Sequence, residues 1–262
     1  MKRGKNMSYI HYVITRFNIK QSFGCKPRKP EENFMQKNLD EKYLSNRFTI
    51  FENYTLPSLQ NQTNKNFKWL LLFHKNTPEK FKQMLYKWEQ IMPQIQPVFL
   101  EEDEKWNITT YRKKNNQEQE DFYITSRIDN DDAYHKEYIE KIQNYVQTNP
   151  VSPCILTFPK GMQYSVETKK LYQYPYEANH FTTMLSKEDS LYTQIYQLNH
   201  SKIFEHQEEI NIHMLKEEKP MWLEIVHETN FINHIKPQLE EVFIEKQQKY
   251  MLDNFGIKED LS

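Results

Sequence analysis

The sequence predicts an α/β fold, a mixed and mostly parallel sheet flanked by helices, and three observations carry that expectation. Short apolar, β-prone runs alternate with segments of helical apolar spacing through the first half of the 262 residues, and right-handed crossovers turn that alternation into a helix-covered parallel sheet. One run, Phe67–Phe73, is apolar almost throughout, as a strand buried on both faces must be. The segment Phe122-Tyr-Ile-Thr-Ser-Arg-Ile-Asp-Asn-Asp-Asp-Ala133 closes an alternating run with three carboxylates, which sets them at a strand's carboxyl end, where open α/β sheets bind ligands.

Tyr9-Ile-His-Tyr-Val-Ile14 reads as the first strand, passing through Thr-Arg-Phe-Asn into a functional loop. Gln21 to Asp40, with Gly24, Pro27 and Pro30, reads as a long polar loop. Leu44, Phe48, Phe51 and Leu59 then share one helical face, and Pro57 is expected to end or kink that helix near Leu56. After the Phe67–Phe73 strand, Thr77-Pro78-Glu79 should open a helix, with Thr77 as N-cap, Pro78 in the first helical position and Phe81, Leu85, Trp88 and Met92 as its buried face. Gln96–Leu100 reads as a third strand. The charged stretch from Glu101 to Glu120 should include a short helix around Ile108 to Lys114. A helix over Lys136 to Gln147 follows from the spacing of Tyr138, Ile139, Ile142, Tyr145 and Val146. Beyond it the runs Cys154–Phe158, Met162–Val166 and Leu171–Tyr174 are short and closely spaced, which predicts an antiparallel patch. Helical patterns return at Glu188–Leu198 and Pro237–Asn254.

Composition narrows the function. With 35 basic against 36 acidic residues the chain lacks the global field of a dedicated nucleic-acid binder, so no nucleic-acid partner is expected. Its 16 Phe, 17 Tyr and 4 Trp imply a core built largely from aromatic rings. Only four Gly are present, too few for a Walker loop or a G-x-G-x-x-G turn, so any nucleotide must be held in another way. Cys25 and Cys154 form neither a disulfide framework nor a structural zinc site, which fits a reducing compartment. The charged N-terminus is followed by an apolar stretch, Tyr9–Ile14, too short for a signal peptide, and no window approaches the ~20 apolar residues of a membrane span. A soluble, cytoplasmic protein is expected, with peripheral attachment to a membrane left open.

The carboxylates Asp129, Asp131 and Asp132 admit several readings. They could be a solvated turn capping the next helix. An EF-hand loop begun at Asp129 would have Asp131 and Glu140 in place, but Ala133 and Tyr134 stand where a ligand and a Gly are needed. A glycosidase needs two separated acids rather than three on one loop. A two-metal nuclease needs further acids and a basic face. A single Mg²⁺ or Mn²⁺ bridging a nucleotide diphosphate suits an Asp-x-Asp arrangement better.

Motifs along most of the chain carry a resemblance. Thr15-Arg-Phe-Asn18, Arg47-Phe-Thr-Ile-Phe-Glu52, Tyr54-Thr-Leu-Pro-Ser-Leu59, Gln62-Thr-Asn64 with Phe67-Lys-Trp69, Arg127-Ile-Asp-Asn-Asp-Asp-Ala133 and Met221-Trp-Leu-Glu-Ile-Val-His-Glu-Thr-Asn230 together resemble the putative rhamnosyltransferase family of bacterial glycosyltransferases, over roughly residues 9 to 233. The resemblance implies a GT-A-like nucleotide-diphospho-sugar transferase fold. A single catalytic domain over residues 1–262 is then expected, with a nucleotide-sugar-binding half at 8–150, an acceptor-side half at 151–235 and a C-terminal helix in 236–262.

It also implies metal-dependent, inverting transfer of a sugar, rhamnose by the family label, from a nucleotide-diphospho-sugar donor to a glycan or lipid-linked acceptor. Carried over residue by residue, Thr15 and Arg16 would line the nucleotide site, Asp129 would face the ribose or donor sugar, and Asp131 would hold the metal, with Asp132 supporting its shell or capping the next helix. His227 would approach the metal or diphosphate, or else be a strand-end histidine bonded to backbone. Arg127 would contact the diphosphate or pair with the neighbouring acids. His74 departs from the pattern, since similar sequences tend to carry a base-contacting acid there. The general base is drawn from Glu208 and Glu209, or Glu217 and Glu218, by position alone. Tyr164, Tyr172, Tyr174, Tyr176 and His180 suit either a sugar face or plain packing. Because of His74 and the unassigned base, a non-catalytic sugar- or nucleotide-binding protein on the same fold is the alternative.

Overall fold

The apolar run at Phe67–Phe73 becomes β2 (Lys68–His74), hydrogen-bonded in parallel register to β1 (Tyr9–Arg16) on one side and β3 (Ile95–Leu100) on the other. Its two faces feed two different cores, Trp69, Leu71 and Phe73 entering one and Leu70 and Leu72 the other. The computed structural model describes residues 8–19, 38–102, 104, 106–117, 119–149, 152–228, 230, 234–244 and 246–258. Most of the long loop expected over Gln21–Asp40 lies outside them.

β4 (Phe122–Arg127) pairs in parallel with the other edge of β1. The first sheet, in the order β10-β6-β9-β4-β1-β2-β3, is completed by β6 (Cys154–Thr157), β9 (Thr183–Ser186) and β10 (Asn211–Met214). A second sheet, β12-β8-β7-β11-β5, is built from β5 (Ala133–Tyr134), β7 (Lys160–Ser165), β8 (Lys170–Pro175), β11 (Trp222–Val226) and β12 (Glu241–Val242). The expected antiparallel patch is therefore only the β7–β8 hairpin, while β6 leaves it for the first sheet. The sheets do not part at residue 150, because β5 joins the second and β6, β9 and β10 the first. As a result the acidic loop between β4 and β5 runs from one sheet to the other.

Helix α1 (Glu41–Ile50) starts at Asp40, whose carboxylate accepts the Tyr43 N–H. Pro57 does not end it near Leu56. The chain widens into a π-helical turn over Phe51–Thr55, with the Leu56 N–H reaching Phe51 O, and re-enters an α-helix, α2 (Leu56–Gln60). Pro57 thereby falls in the first turn of a helix, where its missing N–H and its ring are tolerated. The register shift still leaves Leu44, Phe48, Phe51 and Leu59 buried together. Helix α3 (Glu79–Ile91) buries Phe81, Leu85 and Trp88, but Thr77 does not cap it, its hydroxyl donating to His74 O at 2.7 Å. Phe17, immediately after β1, stacks on Phe73 at 4.6 Å and meets Phe48 at 4.7 Å, and Trp88 meets Phe48 and Phe51 at 4.9 and 4.6 Å. Ring packing of this kind fixes the carboxyl end of β1 against α1 and α3.

Helices α4 (Ile108–Lys114) and α5 (Tyr138–Thr148) form as expected. The helix expected at Glu188–Leu198 reduces to a single 3₁₀ turn at Ile195–Gln197. There the backbone is drawn to the sheet, since Ile195 N–H donates to Thr125 Oγ1 and Tyr196 OH to Ile14 O, and consecutive Ile195 and Tyr196 are buried while Leu191 is exposed. Of Pro237–Asn254 only the second half is helical, as α6 (Gln247–Phe255), closed by Gly256 at φ 72°. The positive φ and a close approach to Pro57 O both require glycine at that cap.

His11, buried on β1, contacts Ser126 Oγ through Nε2 at 2.7 Å and Gln143 Nε2 through Nδ1 at 3.3 Å. Burial lowers its pKa to about 3. A group depressed on folding contributes stability that is present above its unfolded pKa of about 6.5 and lost as pH falls through the folded value, at about 1.4 kcal/mol per pH unit. The variant His11→Gln should therefore show a stability-pH curve shallower than wild type by about that slope between roughly pH 6 and pH 4, read from urea midpoints. Parallel curves would contradict this account of His11.

Candidate active site

The carboxyl ends of β1 and β4 meet beneath the loop Ile128–Asp132. Three residues organise that loop. Tyr134, stacked on Tyr138 at 3.8 Å, donates its hydroxyl to Arg127 O at 2.6 Å. Asn130 donates its amide to Phe17 O at 3.1 Å and accepts in turn from Arg47 of α1. Asp132, fully buried, accepts the Ile225 N–H of β11 at 3.0 Å. The loop is thus held to β1, to α1 and to the second sheet.

Each carboxylate has its own partners. Asp129 receives Arg127 Nη2 at 3.0 Å; burial works against its charge, but the Arg127 guanidinium outweighs it and keeps the acid well below the usual carboxylate range. The other end of Arg127 donates to His200 Nδ1 at 3.2 Å, and burial together with this cation pushes His200 down to about 3, so it is neutral. Asp131 Oδ2 is contacted by Arg47 at 3.3 Å, His227 Nε2 at 3.2 Å and Asn230 Nδ2 at 3.1 Å. Its pKa too is lowered, Arg47 and His227 overcoming burial. Asp132 behaves oppositely: burial and then the neighbouring Asp131 raise it to about 7. His180 Nε2 lies 2.7 Å from Asp132 Oδ2, and although burial opposes it, the Asp132 carboxylate lifts His180 to about 9.

Asp129, Asp132 and His180 each offer a ligand atom within 4.8 Å of the other two. Two carboxylate oxygens and an imidazole nitrogen suit a divalent cation, the nitrogen favouring Mn²⁺ over Mg²⁺. Without it, Arg127 and a protonated His180 balance the acids. Asp131 and His227, two of the metal ligands expected from sequence, are placed together but in the Arg47 network, outside that group of three, whereas Asp132 belongs to it.

The other expected residues lie as follows. Thr15 is buried, its hydroxyl accepting the Trp69 indole N–H at 3.0 Å. The Arg16 guanidinium lies 4.7 Å from the centre of the Tyr196 ring, and Arg127 lies 5.1 Å from the same ring. Glu208 is exposed, and Glu209 is bonded to Tyr192 and, at 3.0 Å, to His206. Among the described residues no hydrogen bond or ion pair joins either glutamate to the acidic loop. Glu217 pairs with Lys141 at 3.0 Å. His74 is buried, its Nδ1 accepting the Asn76 N–H and its Nε2 lacking a partner among the described residues. Sequence reasoning gave Arg47, His180, His200 and Glu224 no part in the metal or diphosphate site. The first and last stood inside quoted motifs, and His180 closed the aromatic stretch, but spacing alone could not show what they face.

The family model described as Putative rhamnosyl transferase matches residues 11–239 of this chain. No protein of curated function matches it. Among solved structures, residues 1–349 of S. aureus TarS are similar at 12% identity and a TM-score of 0.46, over 82% of this chain and 60% of that one. The same TarS segment in complex with UDP-GlcNAc gives 14% identity, a TM-score of 0.46, and 84% and 60% coverage. A putative nucleotide-diphospho-sugar transferase from Desulfovibrio desulfuricans G20 gives 11%, 0.38, and 79% of each chain. The chain thus spans about 60% of the TarS segment it resembles. Among the described residues no helix is long and apolar enough to cross a membrane.

Proposed function

The chain belongs to the putative rhamnosyl transferase family, and from that premise we propose that it moves a sugar, rhamnose by the family's name, from a nucleotide-diphosphate donor to a hydroxyl of a glycan or lipid-linked acceptor, with inversion, on a GT-A-like catalytic domain. The observation that carries this reading is the convergence of Asp129, Asp132 and His180 at the carboxyl ends of β1 and β4, with Arg16 and Arg127 beside them.

In this proposal Asp129, Asp132 and His180 hold Mg²⁺ or Mn²⁺, which when bound offsets the charge that develops on the departing diphosphate. His180 must give up its proton to become a ligand, and Asp132 must be ionised. Arg127, locked by Asp129 and His200, presents a fixed cation to the diphosphate, and Arg16 over Tyr196 lines the nucleotide side. Asp131 holds the loop's shape through Arg47, His227 and Asn230, so that the acids meet the donor already positioned.

Incubation with dTDP-, UDP- and GDP-linked sugars should release nucleoside diphosphate from at least one donor in Mn²⁺ or Mg²⁺, and the release should stop on adding EDTA. Nucleotide binding with no release from any donor would support the alternative of a non-catalytic binding protein, for which His74 at the end of β2, its Nε2 without a partner among the described residues, is the supporting feature.

A further inference from the structure

The transfer needs a base on the acceptor side, and among the described residues no hydrogen bond or ion pair joins any of the four glutamates suggested by position to the acidic loop. The second sheet supplies another. β5 and β11 pair antiparallel through Trp222 opposite Tyr134 and Leu223 opposite Ala133, and one further step of that register sets Glu224 opposite Asp132. Directly opposed residues of such a ladder lie side by side on one face of the sheet. The next strand continues the row, since Glu224 faces Gln163 and Gln163 faces Tyr172. One line of side chains, Asp132, Glu224, Gln163 and Tyr172, therefore runs from the acidic loop towards β8.

Glu224 is 5% exposed, and its one hydrogen bond among the described residues is to Gln163 Nε2 at 2.8 Å. Gln163 is itself fixed, its Oε1 accepting the Lys236 N–H at 3.4 Å, so its amide N–H₂ must face the glutamate. Among the described residues no cation pairs with Glu224, which is unusual for a buried acid without a task. Aromatic rings stand beside it on the same face. Trp222, two residues earlier, stacks on Phe181 at 4.8 Å and meets Tyr174 edge-on at 5.6 Å, and Tyr174 stacks on the exposed Tyr176 at 5.6 Å. Burial and then the Glu224 carboxylate push the Tyr174 phenol up to about 12, a sign that acid and ring are near neighbours. A carboxylate between a diphosphate site and a row of tyrosines fits a sugar hydroxyl as its substrate, because aromatic faces pack against sugar C–H surfaces.

We propose that Glu224 is the base that activates the acceptor, a sugar hydroxyl held against Tyr174 and Tyr176, with Gln163 orienting its carboxylate. This rests on the transferase reading above. Glu224 takes the hydroxyl proton as the acceptor oxygen bonds to the anomeric carbon of the donor. The bond from that carbon to the diphosphate breaks, and its electron pair leaves with the nucleoside diphosphate.

The test uses Glu224→Gln, which keeps the shape and the hydrogen bond, with dTDP-rhamnose, UDP-N-acetylglucosamine and GDP-mannose as donors and methyl glycosides as acceptors. Transfer to the glycosides should fall about 10²–10⁴-fold with nucleotide affinity unchanged. Sodium azide, a nucleophile with no proton to lose, should restore nucleoside diphosphate release and yield a glycosyl azide. Transfer at the wild-type rate in Glu224→Gln overturns the assignment, as does loss of transfer that azide does not restore, which would mark a structural role. If wild-type protein turns over no donor, the transferase reading fails and this proposal with it; if wild type is active and only the azide result is negative, the transferase reading stands and Glu224 alone is excluded.

Discussion

Asp132→Asn should slow donor turnover by about 10²–10³-fold, the range over which loss of one preorganised electrostatic contact slows a reaction, while leaving the fold in place. Asparagine can still accept the Ile225 N–H that Asp132 Oδ1 receives at 3.0 Å, so no backbone donor is orphaned. What it removes is the charge that lifts His180 to about 9 and one of the three groups converging within 4.8 Å. His180 should then return towards, or fall below, its ordinary pKa, which NMR titration of its ring would show. Turnover within threefold of wild type, in a variant with an unaltered His180 titration, would contradict the role given to Asp132. Asp132→Ala should be worse in stability as well, since an unpaired buried N–H costs about 1–3 kcal/mol.

Arg47→Met should destabilise the protein by roughly 3 kcal/mol, at the lower end of the range for removing one partner of a buried ion pair. The lower end applies because Asp131 keeps His227 and Asn230. At about 2–4 °C per kcal/mol for a chain of this size, that is a fall in Tm of roughly 6–12 °C. Methionine preserves most of the stem's packing, so the loss reports the guanidinium's contacts with Asp131 and Asn130. A fall of under about 2 °C would mean the loop is held by its other ties and that Arg47 serves some other purpose.

The strands that carry the site were legible because each leaves a short apolar, β-prone run in the sequence. β1, β2, β3 and β4 lie within two residues of their expected bounds, since a strand buried on both faces leaves an unmistakable apolar run and an alternating one shows its period directly. The acidic tip of the Phe122 run was legible for the same reason. Errors arose where tertiary contacts overrode local pattern. Pro57 is absorbed by a π-helical turn that keeps the aromatic face in register, and Ile195 and Tyr196 spend their hydrogen bonds on Thr125 and Ile14 rather than on a helix.

The division of labour among the acids could not be read from spacing. Three aspartates within four residues look alike in sequence, and only Arg47, 84 residues before Asp131, and His180, 48 residues after Asp132, separate their roles. Glu224 was hidden in the same way. Its neighbour across the sheet, Asp132, is 92 positions earlier, and only the β5–β11 register brings the two together.

The central claim is that Asp129, Asp132 and His180 form a cation-assisted diphosphate site, and calorimetric titration of dTDP and UDP into the protein, with Mn²⁺ and again after chelation by EDTA, tests it most directly. The account predicts saturable binding of at least one nucleotide with Mn²⁺ and none measurable after chelation, with the Mn²⁺-dependent binding lost in Asp132→Asn. Binding of equal strength with and without the cation, unchanged in that variant, would contradict it.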